Sequence, residues 1–335
     1  MKINYLKSPR LLVGLSIILL MLFASLLFSL FSDELLVPEP RLLYNENGEL
    51  IAASPFPPSI VPPFGTDRLS YNIFYKVIDG AKYTLLMVFF VAMLRVLISF
   101  LAGLFCHFYL FKAKKGKSYF ISFFQAFYSI PQVLLAFILI TPFSIIGFHD
   151  LSFYQLVFYQ IIVLIIISVP HLTLLIADEC KRIANEQFMD GAKVLGGSTY
   201  HLFKKHMLPH LSRPLLIFFS QQVGQVLLLL IHLGLLELFL GGAIKRDLGT
   251  AMGAKFITLT NEWSGLIGMD YKEIVLAPWI IVAPLVAFMI TILCVNIITE
   301  ELERPKKRSK VEESYVNSLE NTSADETKNP FTFLK

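Results

Sequence analysis

Six long apolar runs separated by polar segments dominate the chain: Leu11–Phe31, Tyr83–Phe111, Tyr119–Phe143, Leu151–Ala177, Pro214–Leu236 and Ile274–Thr299. Each meets the roughly 20 residues that an α-helix needs to cross the hydrocarbon core of a bilayer. The pattern predicts an all-α integral membrane protein with six transmembrane helices. Pro131 and Pro142 in the third run, Pro170 in the fourth, and Pro278 and Pro284 in the sixth predict kinks. Proline lacks the amide hydrogen, and its ring meets the carbonyl four residues back. The first run follows Lys2, Lys7 and Arg10 in the manner of a secretory leader. It is longer than a leader's apolar region of about 7–15 residues, and no small-residue cleavage site closes it, so it reads as an uncleaved helix.

Composition agrees with this class. Of 335 residues, 55% are hydrophobic and 16% charged, and the mean hydropathy is +0.65. A water-soluble domain cannot solvate so much apolar surface. The basic residues set an orientation. They gather at the N-terminus, at Lys112, Lys114, Lys115 and Lys117, through 178–213, and at Arg304-Pro-Lys-Lys-Arg308. The segment 32–82 is instead rich in Asp and Glu, and 238–273 is mixed. This alternation predicts a cytoplasmic N-terminus (1–10), a first helix (11–31), an extracytoplasmic loop (32–82) and a five-helix core (83–302). Within that core, 178–213 is a cytoplasmic loop. The basic, then polar, tail 303–335 is cytoplasmic and expected to be disordered. Cys106, Cys180 and Cys294 all fall outside the extracytoplasmic segments and read as small apolar filler rather than a disulfide framework.

Candidate chemistry is sparse. The stretch DGAKVLGGST, Asp190–Thr199, looks like a phosphate-binding loop, but Gly197 stands where the lysine belongs and no strand-like alternation precedes it. Ile183, Phe188, Ala192, Val194 and Leu195 instead form a broken apolar stripe at helical spacing, and Gly196-Gly197 ends that helix. Leu202, Phe203 and Met207 begin a second short helix, expected to stop at Leu208-Pro209. A helix–glycine–helix element on a loop is suited to docking an apolar face into a partner's groove. Arg95 sits mid-span, where a charge costs about 2.5–3.5 kcal/mol on insertion scales, so it faces the bundle interior, a partner or water. It is either a pathway residue or one half of an interhelical structural pair, and no acidic residue in the spans is there to pair with it. Gln221 and Gln225, on one face of the fifth run beside Gln222, either line a polar path or bond between helices. His206 and His210 are four apart, with Pro209 expected to interrupt the helix between them, and no metal or catalytic motif is recognised.

Several motifs in order resemble a known family. Asp190-Gly191-Ala192, then Gly196, then Leu208-Pro209 resemble the EAA loop of ABC importer permeases, with Asp for Glu and Gly for the first Ala. Pro63-Phe64-Gly65-Thr66-Asp67 reads as a turn with Asx-type bonding. Asp79-Gly80-Ala81-Lys82 and Leu85 follow it, with Gly80 expected to break the chain before the second span. Ile130-Pro131, Phe239-Leu240-Gly241, Glu262-Trp263, Ala277-Pro278-Trp279, Pro284 and Asn296 complete the match. Together they resemble the C-type subunit of the dipeptide/oligopeptide/nickel group. The resemblance implies a type I importer permease fold, both termini cytoplasmic, in a multi-pass protein of the cell membrane. It implies a non-catalytic subunit that binds no cofactor itself, with ATP-Mg on two partner ATPase subunits. A second homologous permease, an extracytoplasmic solute-binding protein and the lipid bilayer are the other partners, with no nucleic acid. Peptides are the implied cargo, with nickel or metal chelates as the alternative. An ion-coupled secondary transporter would need acidic residues within the spans, and a membrane-embedded enzyme would need a catalytic pair; neither is found.

Overall fold

The computed structural model describes residues 8–110, 117–150, 152–247 and 254–304. The basic residues Lys112, Lys114 and Lys115, and almost all of the tail, lie outside the described residues. The chain divides into two units, 1–302 and 303–335, and the helical bundle is the first of them. Among the described residues, four helices are long and apolar enough to cross a membrane: α1 (Pro9–Phe28), α3 (Ile73–Phe108), the helical stretch Thr199–Leu235, and α12 (Trp279–Glu303). Two bent pairs raise the number to as many as six if each pair is one span. The first is α4 (Lys117–Ser129) with α5 (Gln132–Asp150), bent by 76° at Ile130-Pro131, where the proline predicts a kink. The second is α6 (Phe153–Ile166) with α7 (Val169–Ala184), bent by 42°, with Pro170 tolerated in the first turn of α7. The bundle is apolar on its outside as well as within: Leu20, Phe23, Leu101 and Phe158 are exposed. That is the reverse of a water-soluble fold and fits a lipid surround.

The all-α expectation is corrected by two short antiparallel hairpins. β1 (Leu42–Tyr44) pairs with β2 (Leu50–Ala53), and β3 (Ala243–Asp247) with β4 (Ala254–Thr258). The first hairpin follows from its turn: Asn45 Oδ1 accepts from the amides of Asn47 and Glu49, and Gly48 supplies φ +80°. A short helix, α2 (Ser32–Leu35), precedes it.

At one end of the bundle the motifs 79–85, 239–241 and 262–263 meet around α11 (Trp263–Asp270), and 277–279 packs against 63–67 and the start of α3. Gly65 takes φ +74° and Asp67 closes the expected turn, its Oδ1 accepting from Leu69 and Tyr71. Its Oδ2 holds Lys76 in a buried pair at 2.6 Å. The Trp263 amide donates to Thr84 Oγ1 and its indole to the Val77 carbonyl, and the Trp279 indole donates to the Thr66 carbonyl. Gly80 does not break the chain. It lies inside α3, where a Cβ would stand 1.9 Å from the Asn261 carbonyl oxygen. Its role is close approach of two backbones, which a helix interior permits.

Glu262, the N-cap residue of α11, is fully enclosed. It accepts from the Leu240 amide and from the hydroxyls of Thr258 and Thr260. Burial pushes its carboxyl above the ordinary range, and the three donors offset this only in part. A raised folded pKa means stability that is full below the ordinary carboxylate value and is lost as pH rises through the folded one. Thermal unfolding of the detergent-solubilised protein is expected to show that decline, and Glu262→Gln, which keeps an acceptor oxygen, is expected to flatten it.

Candidate functional site

At the other end of the bundle, α7 gives way after two residues to α8 (Gln187–Val194). Met189 anchors α8 in a buried cluster with Cys180, Ile183, Met207 and Leu211. Lys193 lashes it to the preceding helix, its ammonium reaching the Ala184 carbonyl at 3.3 Å and Asp190 at 2.8 Å. Asp190 itself lies in the first turn, where a carboxylate suits the helix dipole.

The end of α8 is a Schellman turn. The Gly196 amide bonds the Lys193 carbonyl and the Gly197 amide bonds the Ala192 carbonyl, with Gly196 at φ +81°. Just before that turn the hydrophobic tip of α8 is bare: Val194 is 87% and Leu195 88% exposed. Gly191 lies mid-helix with open space where a Cβ would go. Gly191→Ala is therefore expected to strengthen α8 by about 1 kcal/mol. Hydrogen exchange of the α8 amides would show it as a slowing of roughly fivefold.

The second helix does not stop at Leu208-Pro209. Ser198 caps α9 (Thr199–His201), a π-helical turn follows at Leu202–Met207, and α10 (Leu208–Leu235) runs on through the proline. Pro209 falls in the first turn of α10, and the Leu208 amide reaches back five residues to the Phe203 carbonyl. The wider turn makes room for the ring next to a carbonyl it cannot bond. The segment 178–213 is thus largely helical, and His206 and His210 are not separated by a break. His210 stacks on Phe188 at 4.5 Å. Among the described residues no cluster of three His, Cys, Asp or Glu side chains is placed to hold a metal ion.

Arg95 lies midway along α3 and is fully buried, so of the three surroundings open to it the structure takes the bundle interior. Its Nε and Nη2 donate to the Leu164 carbonyl at 2.8 and 2.5 Å, and its Nη1 donates to Gln222 Oε1 at 3.2 Å. Its partners are therefore neutral. Gln222 Nε2 in turn bonds Gln225 Oε1 at 3.0 Å. Arg95 is brought into one network with Gln225, and Gln221 and Gln225 both lie on the exposed face of α10. Gln222, Ser168 and Gln160 carry much of the buried polar work, and no sequence motif marks them out. Gln160 donates to the Phe239 carbonyl and accepts from the Gly241 amide. The one signal that points to it is a glutamine in an apolar run, a costly residue in a membrane.

Helices of this length, apolar outside and joined by a short helix with a bare hydrophobic tip, define a membrane-embedded subunit. The family described as "Binding-protein-dependent transport system inner membrane component" matches residues 95–308, and the chain belongs to that family. It is a permease of a binding-protein-dependent ABC importer and a multi-pass protein of the cell membrane. The glutathione transport system permease protein GsiD of Escherichia coli O6:K15:H31 is 24% identical over 247 residues, covering 73% of this chain and 71% of that protein. The proteins of the same name from Shigella boydii serotype 4 and Shigella sonnei match with the same identity and coverage.

Proposed function

We propose that the chain is the C-type permease of a peptide importer, with six spans and both termini cytoplasmic, moving its cargo by alternating access. The observation that supports this most directly is α8: a short helix with a rigid glycine stop and a bare apolar tip, in the segment where basic residues gather. α8 docks in a cleft of a separate ATPase subunit, with Asp190, Gly191, Ala192 and Gly196 forming the element and Leu208-Pro209 framing it. ATP-Mg is bound by two such subunits, and this chain is non-catalytic. A second, homologous permease completes the path, and a solute-binding protein delivers cargo on the extracytoplasmic side. Gln221 and Gln225 face the path. Arg95 contributes from behind, through Gln222. Peptide cargo is favoured because the relatives carry glutathione, itself a short peptide.

The test is uptake of labelled di- and oligopeptides, glutathione and nickel in a strain lacking this chain, complemented with the wild type or with Gly196→Pro. Proline cannot adopt φ +81°. Peptide uptake is expected to return with the wild type and not with the variant, which still inserts in the membrane. Restoration of nickel uptake alone would sink the peptide reading, and a tagged chain that purifies without any ATPase would sink the importer mechanism.

A further inference from the structure

Between α6 and α7, two residues on one face of α3 grip the bend. Arg95 donates to the Leu164 carbonyl, and Ser99, one turn on, lies with its hydroxyl 3.4 Å from the Val169 carbonyl. A further turn along, Gly103 lets α7 close in: a Cβ there would lie 2.9 Å from Ile176 Cγ2. From the other side, Gln222 on α10 accepts both from Arg95 and from Ser168 Oγ, the latter at 2.9 Å. Ser168 is the N-cap residue of α7 and so marks the bend itself. In a straight helix the Ser168 amide would bond the Leu164 carbonyl. Here it bonds Ile165 at 3.1 Å, which leaves the Leu164 oxygen to the guanidinium. The acceptor that Arg95 uses is thus exposed by the bend that Arg95 holds.

We infer that Arg95, Gln222 and Ser168 form a hinge lock, a positioning device that fixes the α6–α7 bend and fastens it to α10. Hinges of this kind are a few residues at element ends that absorb a change in backbone angle. Because α8 follows α7 after two residues, the lock sets where α8 stands relative to α6. Gln225, bonded to Gln222, extends the network to the exposed face of α10. The consequence for transport rests on α8 being the docking helix; the lock itself is a property of this chain alone.

The experiment is double electron–electron resonance on the full chain in lipid nanodiscs. Spin labels are placed at Phe158→Cys on α6 and Lys181→Cys on α7, both exposed sites, with Cys106, Cys180 and Cys294 replaced by alanine. A single narrow distance distribution is expected for the wild-type lock. Gln222→Leu and Ser168→Ala are each expected to broaden it at least twofold. Gln222→Glu, which keeps an acceptor for both donors, is expected to keep it narrow. Gln160→Leu removes a buried glutamine outside the lock and is expected to leave the width unchanged. An unchanged width in Gln222→Leu and Ser168→Ala overturns the lock, as does equal broadening in Gln160→Leu. If Gln222→Leu does not yield folded protein, Ser168→Ala decides alone. No ATPase or binding protein is in the sample, so failure here leaves the docking of α8 standing, and failure of docking leaves the lock standing.

Discussion

Replacing Val194 and Leu195 together by aspartate is expected to abolish transport and release the ATPase subunits while leaving the bundle folded. Both side chains are almost wholly exposed and touch no core, so the fold loses nothing when they change. Surface substitutions of this kind shift stability by no more than about 0.5 kcal/mol. Docking is different. Burying a valine or a leucine is worth roughly 1.5–3 kcal/mol each. Losing both weakens binding by about two to four orders of magnitude. Aspartates in their place add the cost of burying charge without a partner. The measurements are ATPase co-purification with the tagged chain, substrate uptake, and thermal unfolding. Undiminished ATPase capture by the double variant, with normal uptake, would show that α8 is not the docking helix.

Gly80→Ala is expected to be strongly destabilising at the α11 end of the bundle, although it adds a single methyl group. The added Cβ would lie 1.9 Å from the Asn261 carbonyl oxygen and 2.7 Å from its carbon. Both are backbone atoms, so no rotamer change relieves the contact. α3 and the chain before α11 must move apart, and that strains the bonds converging there: Asn261 Nδ2 to Asp79 Oδ2 and the Trp263 amide to Thr84. Overpacking costs roughly 1–3 kcal/mol, and a clash with rigid backbone belongs at the upper end. Thermal unfolding in detergent should show a large fall for Gly80→Ala beside little or no loss for Gly191→Ala. The two substitutions are chemically identical, and only the space around each Cβ separates their outcomes. Equal stability of the two variants would count against the close approach of α3 and Asn261.

Much of the candidate site is legible in the sequence. Gly196 after an amphipathic stripe is a local signal, because a left-handed residue at a helix end depends only on its neighbours in the chain. Asp67 closing its own turn is local in the same sense. Pro209 misleads for a related reason. A proline stops a helix in isolation, but a π-helical turn ahead of it lets the helix continue, and packing of Met207 and Leu211 in the cluster around α8 favours that continuation. Gly80 misleads because the partner that requires it lies 181 residues further along the chain, at Asn261. Met189 carries no local signal, because its burial depends on α7 and α10 meeting around it.

By itself, the sequence determined the class of the protein: a membrane bundle whose spans follow from apolar run length, whose bends follow from Pro131 and Pro170, and whose short helix α8 is closed by Gly196. Those are properties of near neighbours in the chain, and the chemistry of each residue carries them. Only the tertiary structure decided what Arg95 does. A buried guanidinium needs acceptors, and no residue near it in sequence supplies them. They come from a carbonyl 69 residues away and a glutamine 127 residues away. One of them, the Leu164 oxygen, meets the guanidinium only because α3 packs across the α6–α7 bend, and that is a fact of packing rather than of composition.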